Sequence, residues 1–185
     1  MVTMDDLVIE NVVASSSMER NLDLWKIAEA LEESQYDPDD FPGLIYRFEK
    51  PKTAILLFES GKVVCTGGKT IKEAEKSVNK MKELLNDNDI KTADTVETTV
   101  QNIVASYDLG TNLNLSSVAI TLGLERVEYE PEQFPGLVYR VPDSEVVLLV
   151  FGSGRMVCTG GKNEENLVEG VKHIEKELKG AALMT

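Results

Sequence analysis

Two cysteines and one histidine among 185 residues leave little from which to build a metal centre. Cys65 and Cys158 lie far apart, with no CxxC and no Cys/His cluster, which excludes the usual zinc spacings. Both stand inside apolar strand-like segments, so buried core thiols are expected. No Ser/His/Asp or Cys/His arrangement recurs, and the carboxylates fall in charge runs that suit a solvated face. An enzyme is therefore not expected, nor a metal or cofactor. Basic charge is also scarce. The formal net charge is −13, which by itself counts against a phosphate-binding partner. No apolar run approaches the roughly 20 residues of a membrane span, so no membrane partner is expected. The start carries two aspartates and no basic cluster, unlike a secretory leader, and a cytoplasmic protein is the default.

What the sequence does contain is a duplication. Residues 41–69 read FPGLIYRFEKPKTAILLFESGKVVCTGGK, and residues 134–162 read FPGLVYRVPDSEVVLLVFGSGRMVCTGGK. Sixteen of the 29 aligned positions are identical without a gap, at an offset of 93, which chance does not produce. Upstream, IENVVAS (9–15) matches VQNIVAS (100–106) at an offset of 91, so the second copy holds two extra residues in between. The polar stretch 86–94 suits a connector. The copies are placed at 1–93 and 94–185.

Each copy reads the same way. A strand carries the Asn motif. A helix follows, with Leu24, Ile27, Ala28 and Leu31 matching Leu115, Val118, Ala119 and Leu122 at helical spacing. Asp23 and Asn114 stand where an N-cap belongs. Short strands come next, with Ser60-Gly61 and Ser153-Gly154 marking a tight turn. A longer helix closes each copy, over about 70–85 and 164–178. The strands do not alternate as half-wet strands should: AILLF (54–58) and VVLLVF (146–151) are apolar on both faces. Two helices per copy can cover one face of such a sheet. The other is left bare, and a large bare apolar face marks a binding surface. If Cys65 points to the helices, Val64 and Thr66 point away, as do Val157 and Thr159. Asn11 with Val13, and Asn102 with Val104, share that outer face if Val12 and Ile103 point inward. Leu56 with Phe58, and Leu149 with Phe151, share one side.

These paired motifs, FPGLIYR/FPGLVYR, LLFESGKVVCTGGK/LVFGSGRMVCTGGK and ENVVAS/QNIVAS, resemble the TATA-box-binding protein family of archaeal type over about residues 5–180. The resemblance implies an α+β fold. It is a pseudo-two-fold saddle with one curved antiparallel sheet of about ten strands and two helices per repeat on the convex face. It implies a general transcription initiation factor that binds the minor groove of A·T-rich promoter DNA and recruits transcription factor B and RNA polymerase. That family is itself the standard worked example of minor-groove kinking by inserted side chains. Four inserting phenylalanines map onto Phe41, Phe58, Phe134 and Phe151. Phosphate contacts map onto Arg47, Lys62, Arg140 and Arg155. Transcription factor B contacts map onto Glu130, Glu132 and Gln133. Nucleoid association in the cytoplasm follows.

The groove supplies the rest of the expectation. An A·T pair shows only acceptors there. Asn11, Asn102, Thr66 and Thr159 are donors to them, while Val13, Leu56, Val64, Val104, Leu149 and Val157 press against the base edges. A guanine amino group pressed on such a surface loses water and gains no acceptor, at a cost of about 1–3 kcal/mol. A different class of reading stays open: a duplicated scaffold whose apolar face binds a protein or forms a homodimer in the absence of DNA. Two residues have plainer assignments. His173 is expected on a solvated helix surface, and Trp25 is expected to pack at the edge of its helix. Gly68-Lys69-Thr70 mimics the end of a phosphate-binding loop, but that motif needs glycine where Val63 stands.

Overall fold

The structure is a computed structural model, and it describes residues 2–183. Nine strands and four α-helices follow in chain order. The first half carries β1 (Val8–Ser17), α1 (Leu24–Ala30), β2 (Leu44–Glu49), β3 (Lys52–Leu57), β4 (Lys62–Gly68) and α2 (Ile71–Asp87). The second carries β5 (Thr99–Asp108), α3 (Leu115–Leu122), β6 (Val127–Glu128), β7 (Leu137–Arg140), β8 (Val147–Val150), β9 (Arg155–Gly161) and α4 (Glu164–Gly180). The chain forms two compact units. One spans Asn11–Gln101. The other joins the residues up to Glu10 with those from Asn102 onward.

In the first unit the strands run β2-β3-β4-β1, all antiparallel. In the second they run β5-β9-β8-β7-β6, again antiparallel. The difference in strand number has a local cause. Where the second unit pairs Glu128 with Val138, the first makes only an isolated Gln35–Ile45 bridge. Val127 buries its side chain in β6. The equivalent Ser34 instead turns its hydroxyl onto the Leu31 carbonyl at 2.6 Å. Such a local bond competes with the ladder.

The helices start where the caps dictate. Asp23 accepts from the Lys26 N–H and Asn114 from the Ser117 N–H. Thr70 caps α2 by accepting from the Glu73 N–H at 3.0 Å, which accounts for the hydroxyl in the phosphate-loop mimic. The long helices bury one stripe each: Ala74, Val78, Met81 and Leu85 in α2, and Leu167, Val171, Ile174 and Leu178 in α4. Against them lie Ile55, Leu57, Val63 and Cys65 in one unit and Leu148, Val150, Met156 and Cys158 in the other, all essentially inaccessible. Both thiols are free. Burial pushes the Cys65 thiol up to about 11 and the Cys158 thiol up to about 12.

The two cores differ at one buried spot. Thr53 and Ser77 share a 2.7 Å hydrogen bond, and both hydroxyls are within bonding reach of the Cys65 thiol. Val146 and Gly170 occupy the equivalent places, and a Cβ on Gly170 would come within 2.9 Å of Val146. His173 is half-buried, not solvated. Its Nε2 lies 2.9 Å from the Tyr139 hydroxyl, with the two rings nearly parallel. Tyr139 fills the sheet side of α4 and offers the ring a partner that helix periodicity alone does not show. Trp25 is 60% exposed rather than packed at the helix edge, and its ring is edge-on to Tyr36.

Candidate nucleic-acid interface

Strand alternation leaves one face of the strands in each unit without helices. In the first unit Asn11, Val13, Leu56, Val64 and Thr66 are all half-exposed, while their strand neighbours Val12, Ala14, Leu57, Val63 and Cys65 are buried. In the second, Asn102, Val104, Leu149, Val157 and Thr159 repeat the pattern against Ile103, Ala105, Leu148, Val150 and Cys158. The outer side chains are in cross-strand register. Leu56 is opposite Val64, and Leu149 is opposite Val157. Ile45 and Val138 extend the same rows, opposite Leu56 and Leu149. Sequence reasoning passed over these two. The signal was their place next to Leu44 and Leu137, both fully buried, since adjacent strand residues face opposite ways.

The Asn side chains are fixed by backbone geometry. The Gly67 N–H donates to Asn11 Oδ1 at 2.6 Å, and the Gly160 N–H to Asn102 Oδ1 at 2.8 Å. Asn11 Nδ2 donates to Thr66 Oγ1 at 3.1 Å, and Asn102 Nδ2 to Thr159 Oγ1 at 3.0 Å. A backbone N–H can only donate, so each amide must turn its oxygen to glycine and its NH2 toward threonine. One amide hydrogen binds the threonine and the other stays available to an external acceptor. The glycines reach this position through a register shift. Opposite Val12/Ala14 and Ile103/Ala105 the ladder bulges, and Gly67 and Gly160 adopt φ of +95° and +91°. A Cβ on Gly160 would sit 2.2 Å from the Glu145 carbonyl oxygen, so glycine is required there. The CTGG motif carried this signal.

Four phenylalanines form two matched pairs. Phe41 and Phe58 have ring centroids 5.9 Å apart at 66°, and Phe134 and Phe151 repeat both values. Each pair sits over a glycine. A Cβ on Gly43 would approach Phe41 to 2.7 Å and Phe58 to 3.0 Å, and one on Gly136 would meet Phe134 and Phe151 at 2.7 and 2.9 Å. The glycine of FPG is thus a seat for two rings as well as part of a turn. Phe134 is 41% exposed and the other three are half-buried.

The cationic candidates are exposed. Lys62 and Arg155 open β4 and β9. Arg47 donates to Gln35 at 3.1 Å, whereas Arg140 pairs with the Glu128 carboxylate at 3.2 Å. Both partners of that pair are more than half exposed, so it is weak. Most carboxylates lie in helices and connectors, but Glu128 reaches the candidate Arg140, and Glu10 accepts from the Ser106 hydroxyl at 3.0 Å. Ser15, the counterpart of Ser106, accepts instead from Gln101 at 2.7 Å. Neither serine was singled out from the sequence, although both end the paired Asn motifs. Glu130, Glu132 and Gln133 are exposed on the loop before Phe134, whose N–H donates to the Glu130 carbonyl. Among the described residues no group of three or more metal-ligating side chains occurs, and no helix is long and apolar enough to cross a membrane.

The family described as "Transcription factor TFIID (or TATA-binding protein, TBP)" matches this chain twice, over residues 6–88 and 97–181. The chain belongs to the TATA-box-binding protein family. It is 53% identical over 184 residues to the TATA-box-binding protein of Picrophilus torridus, covering all of both chains. It is 52% identical over 176 residues to that of Archaeoglobus fulgidus, covering 95% of this chain and 96% of the relative. The solved structure of Methanococcus jannaschii TBP superposes with a TM-score of 0.86 at 46% identity, over 95% of this chain and 99% of that one. The two family matches coincide with the internal duplication, and each matched segment holds one glycine-held Asn and one Phe pair.

Proposed function

We propose that the chain is a promoter-recognition factor that lays its bare sheet faces in the minor groove of A·T-rich DNA and kinks it. The observation that carries this reading is the doubled, glycine-held Asn donor set among half-exposed valines and leucines. Minor-groove A·T edges offer acceptors only, and this surface offers donors ringed by apolar contact. The second repeat presents the same groups as the first, so one repeat meets each half of the site. A surface of this kind prefers A·T over G·C without separating A·T from T·A.

The phenylalanine pairs are the wedges. Rings stacked edge-on above a glycine present a rigid apolar face that enters a base step and partly unstacks it. Flexible TA steps lower the cost of that deformation. Arg47, Lys62, Arg140 and Arg155 hold the backbone, with Arg140 exchanging Glu128 for a phosphate. The bent DNA, together with the exposed loop at Glu130, Glu132 and Gln133, is the platform for transcription factor B and, through it, RNA polymerase. A nucleoid location follows. No chemical step is part of this function, and no cofactor is called for.

Energy transfer between dyes at the two ends of a TATA-containing duplex tests the wedge. The unaltered protein brings the ends together. Phe134→Ala with Phe151→Ala leaves them farther apart and weakens binding at least tenfold, because straighter DNA meets less of the protein surface and the contacts that offset the cost of unstacking are lost. An unchanged end-to-end distance with the double variant removes insertion from the account. A protein that dimerises but shifts no A·T-rich duplex in a gel removes DNA recognition altogether and favours the scaffold reading.

A further inference from the structure

The two repeats part company on the outer side of the first helix. Trp25 is 60% exposed on α1, with its ring centroid 4.8 Å from that of Tyr36 in an edge-on contact. The equivalent residues of the second repeat are Ser116 and Tyr129, so the indole belongs to the first repeat alone. Beside the two rings lies an open cleft of about 540 Å³ whose polar lining is Asn21, Asp23 and Glu59. No cation lines it. Among the described residues the Glu59 carboxylate makes no hydrogen bond or ion pair, and Asp23 uses one oxygen to cap α1. The chain continues from Tyr36 into Asp37, Asp39 and Asp40, all exposed.

We propose that this cleft docks an arginine-bearing basic segment of a protein partner. A guanidinium lies flat on the face of the indole and keeps its edge N–H groups for carboxylates, a combination an ammonium cannot match. Asp23 and Glu59 supply those carboxylates, and Asp37, Asp39 and Asp40 continue the acidic track for neighbouring basic residues of an extended peptide. An anionic ligand is repelled. A second copy of the chain is a poor occupant because it brings a net charge of −13 to an acidic cleft. The same net charge draws basic segments in. This surface involves none of the groups assigned to DNA, so it stands whether or not the DNA reading does.

Trp25 is the single tryptophan, so intrinsic fluorescence reports this site directly. The full chain is titrated with a nine-residue peptide alternating arginine and glycine, and with versions carrying lysine, citrulline or glutamate in place of arginine. The arginine peptide changes Trp25 emission saturably. The citrulline peptide binds about tenfold more weakly or less, and the glutamate peptide not at all. Asp23→Asn, which keeps the helix cap, and Glu59→Gln each weaken binding about threefold or more. Anisotropy of a labelled arginine peptide follows Trp25→Ser, the residue of the second repeat, and Tyr36→Ala, and each loses about tenfold while shifting A·T-rich DNA as before. Equal binding of the arginine and citrulline peptides overturns the proposal. So does undiminished binding to Trp25→Ser, which places the peptide on general surface acidity. A change in Trp25 emission with protein concentration alone assigns the cleft to a second copy and overturns it as well.

Discussion

At the scale of single residues, the candidate interface depends on how an amide is turned. Gly67 and Gly160 donate to the Asn11 and Asn102 oxygens, which commits the NH2 groups to outward donation. Asn11→Asp keeps the acceptor for Gly67 and removes the donor. The expected result is a thermal midpoint close to that of the unaltered protein and a loss of about 1–3 kcal/mol in affinity for A·T-rich duplexes, read by gel shift alongside a melting curve. Retained affinity means that Asn11 takes no part in readout. The cysteines set a pH limit. Both folded thiols titrate far above an unfolded thiol near pH 8.5, so the neutral form is stabilised by folding. Their contribution is complete below about pH 8.5 and is lost as pH rises toward the folded values, by up to about 1.4 kcal/mol per pH unit for each thiol. Urea unfolding between pH 8 and 10 measures it. Cys65→Ala with Cys158→Ala is less stable at neutral pH, and its stability falls less steeply over that interval.

At the scale of elements, the duplicated helices and strands have diverged under the constraint of packing. Thr53 and Ser77 join β3 to α2 through a buried hydrogen bond, and Val146 and Gly170 fill the same space with a methyl against a bare backbone. Thr53→Val leaves the Ser77 hydroxyl with only the weakly bonding Cys65 thiol and costs about 1–3 kcal/mol. Adding Ser77→Gly removes that hydroxyl, so the double variant loses less than the sum of the two single ones. Denaturant unfolding of all four proteins gives the coupling directly. Strict additivity means that the pair is not a unit. The same logic accounts for β6, which forms where Val127 is buried and is reduced to a bridge where Ser34 bonds back to its own chain.

At the scale of the whole molecule, a net charge of −13 must coexist with a nucleic-acid partner. The assigned phosphate groups are only Arg47, Lys62, Arg140 and Arg155, and Arg140 begins in an ion pair. Few counterions are then released on binding. The log–log dependence of affinity on salt has a slope of about −4 and does not exceed about −6 in magnitude. Fluorescence titrations across a range of potassium chloride concentrations measure this slope. A steeper value requires basic contacts beyond these four.

The duplication, the helix caps, the inward stripe of each long helix and the choice of outer face were all legible in the residues. Each rests on spacing along a helix or strand, where neighbours in sequence are neighbours in space. Val64 and Thr66 had to oppose Cys65 because strand side chains alternate. The seat that Gly43 and Gly136 make for the phenylalanine rings, and the turn that Gly67 and Gly160 impose on the asparagines, join residues far apart in the sequence. Those relations exist only once a bulge and a register have been chosen, and the ladder as a whole chooses them. The stacking of His173 on Tyr139, and the exposed pairing of Trp25 with Tyr36, belong to the same class. One-dimensional periodicity assigns a side chain to a face. Only the folded chain decides what it meets there.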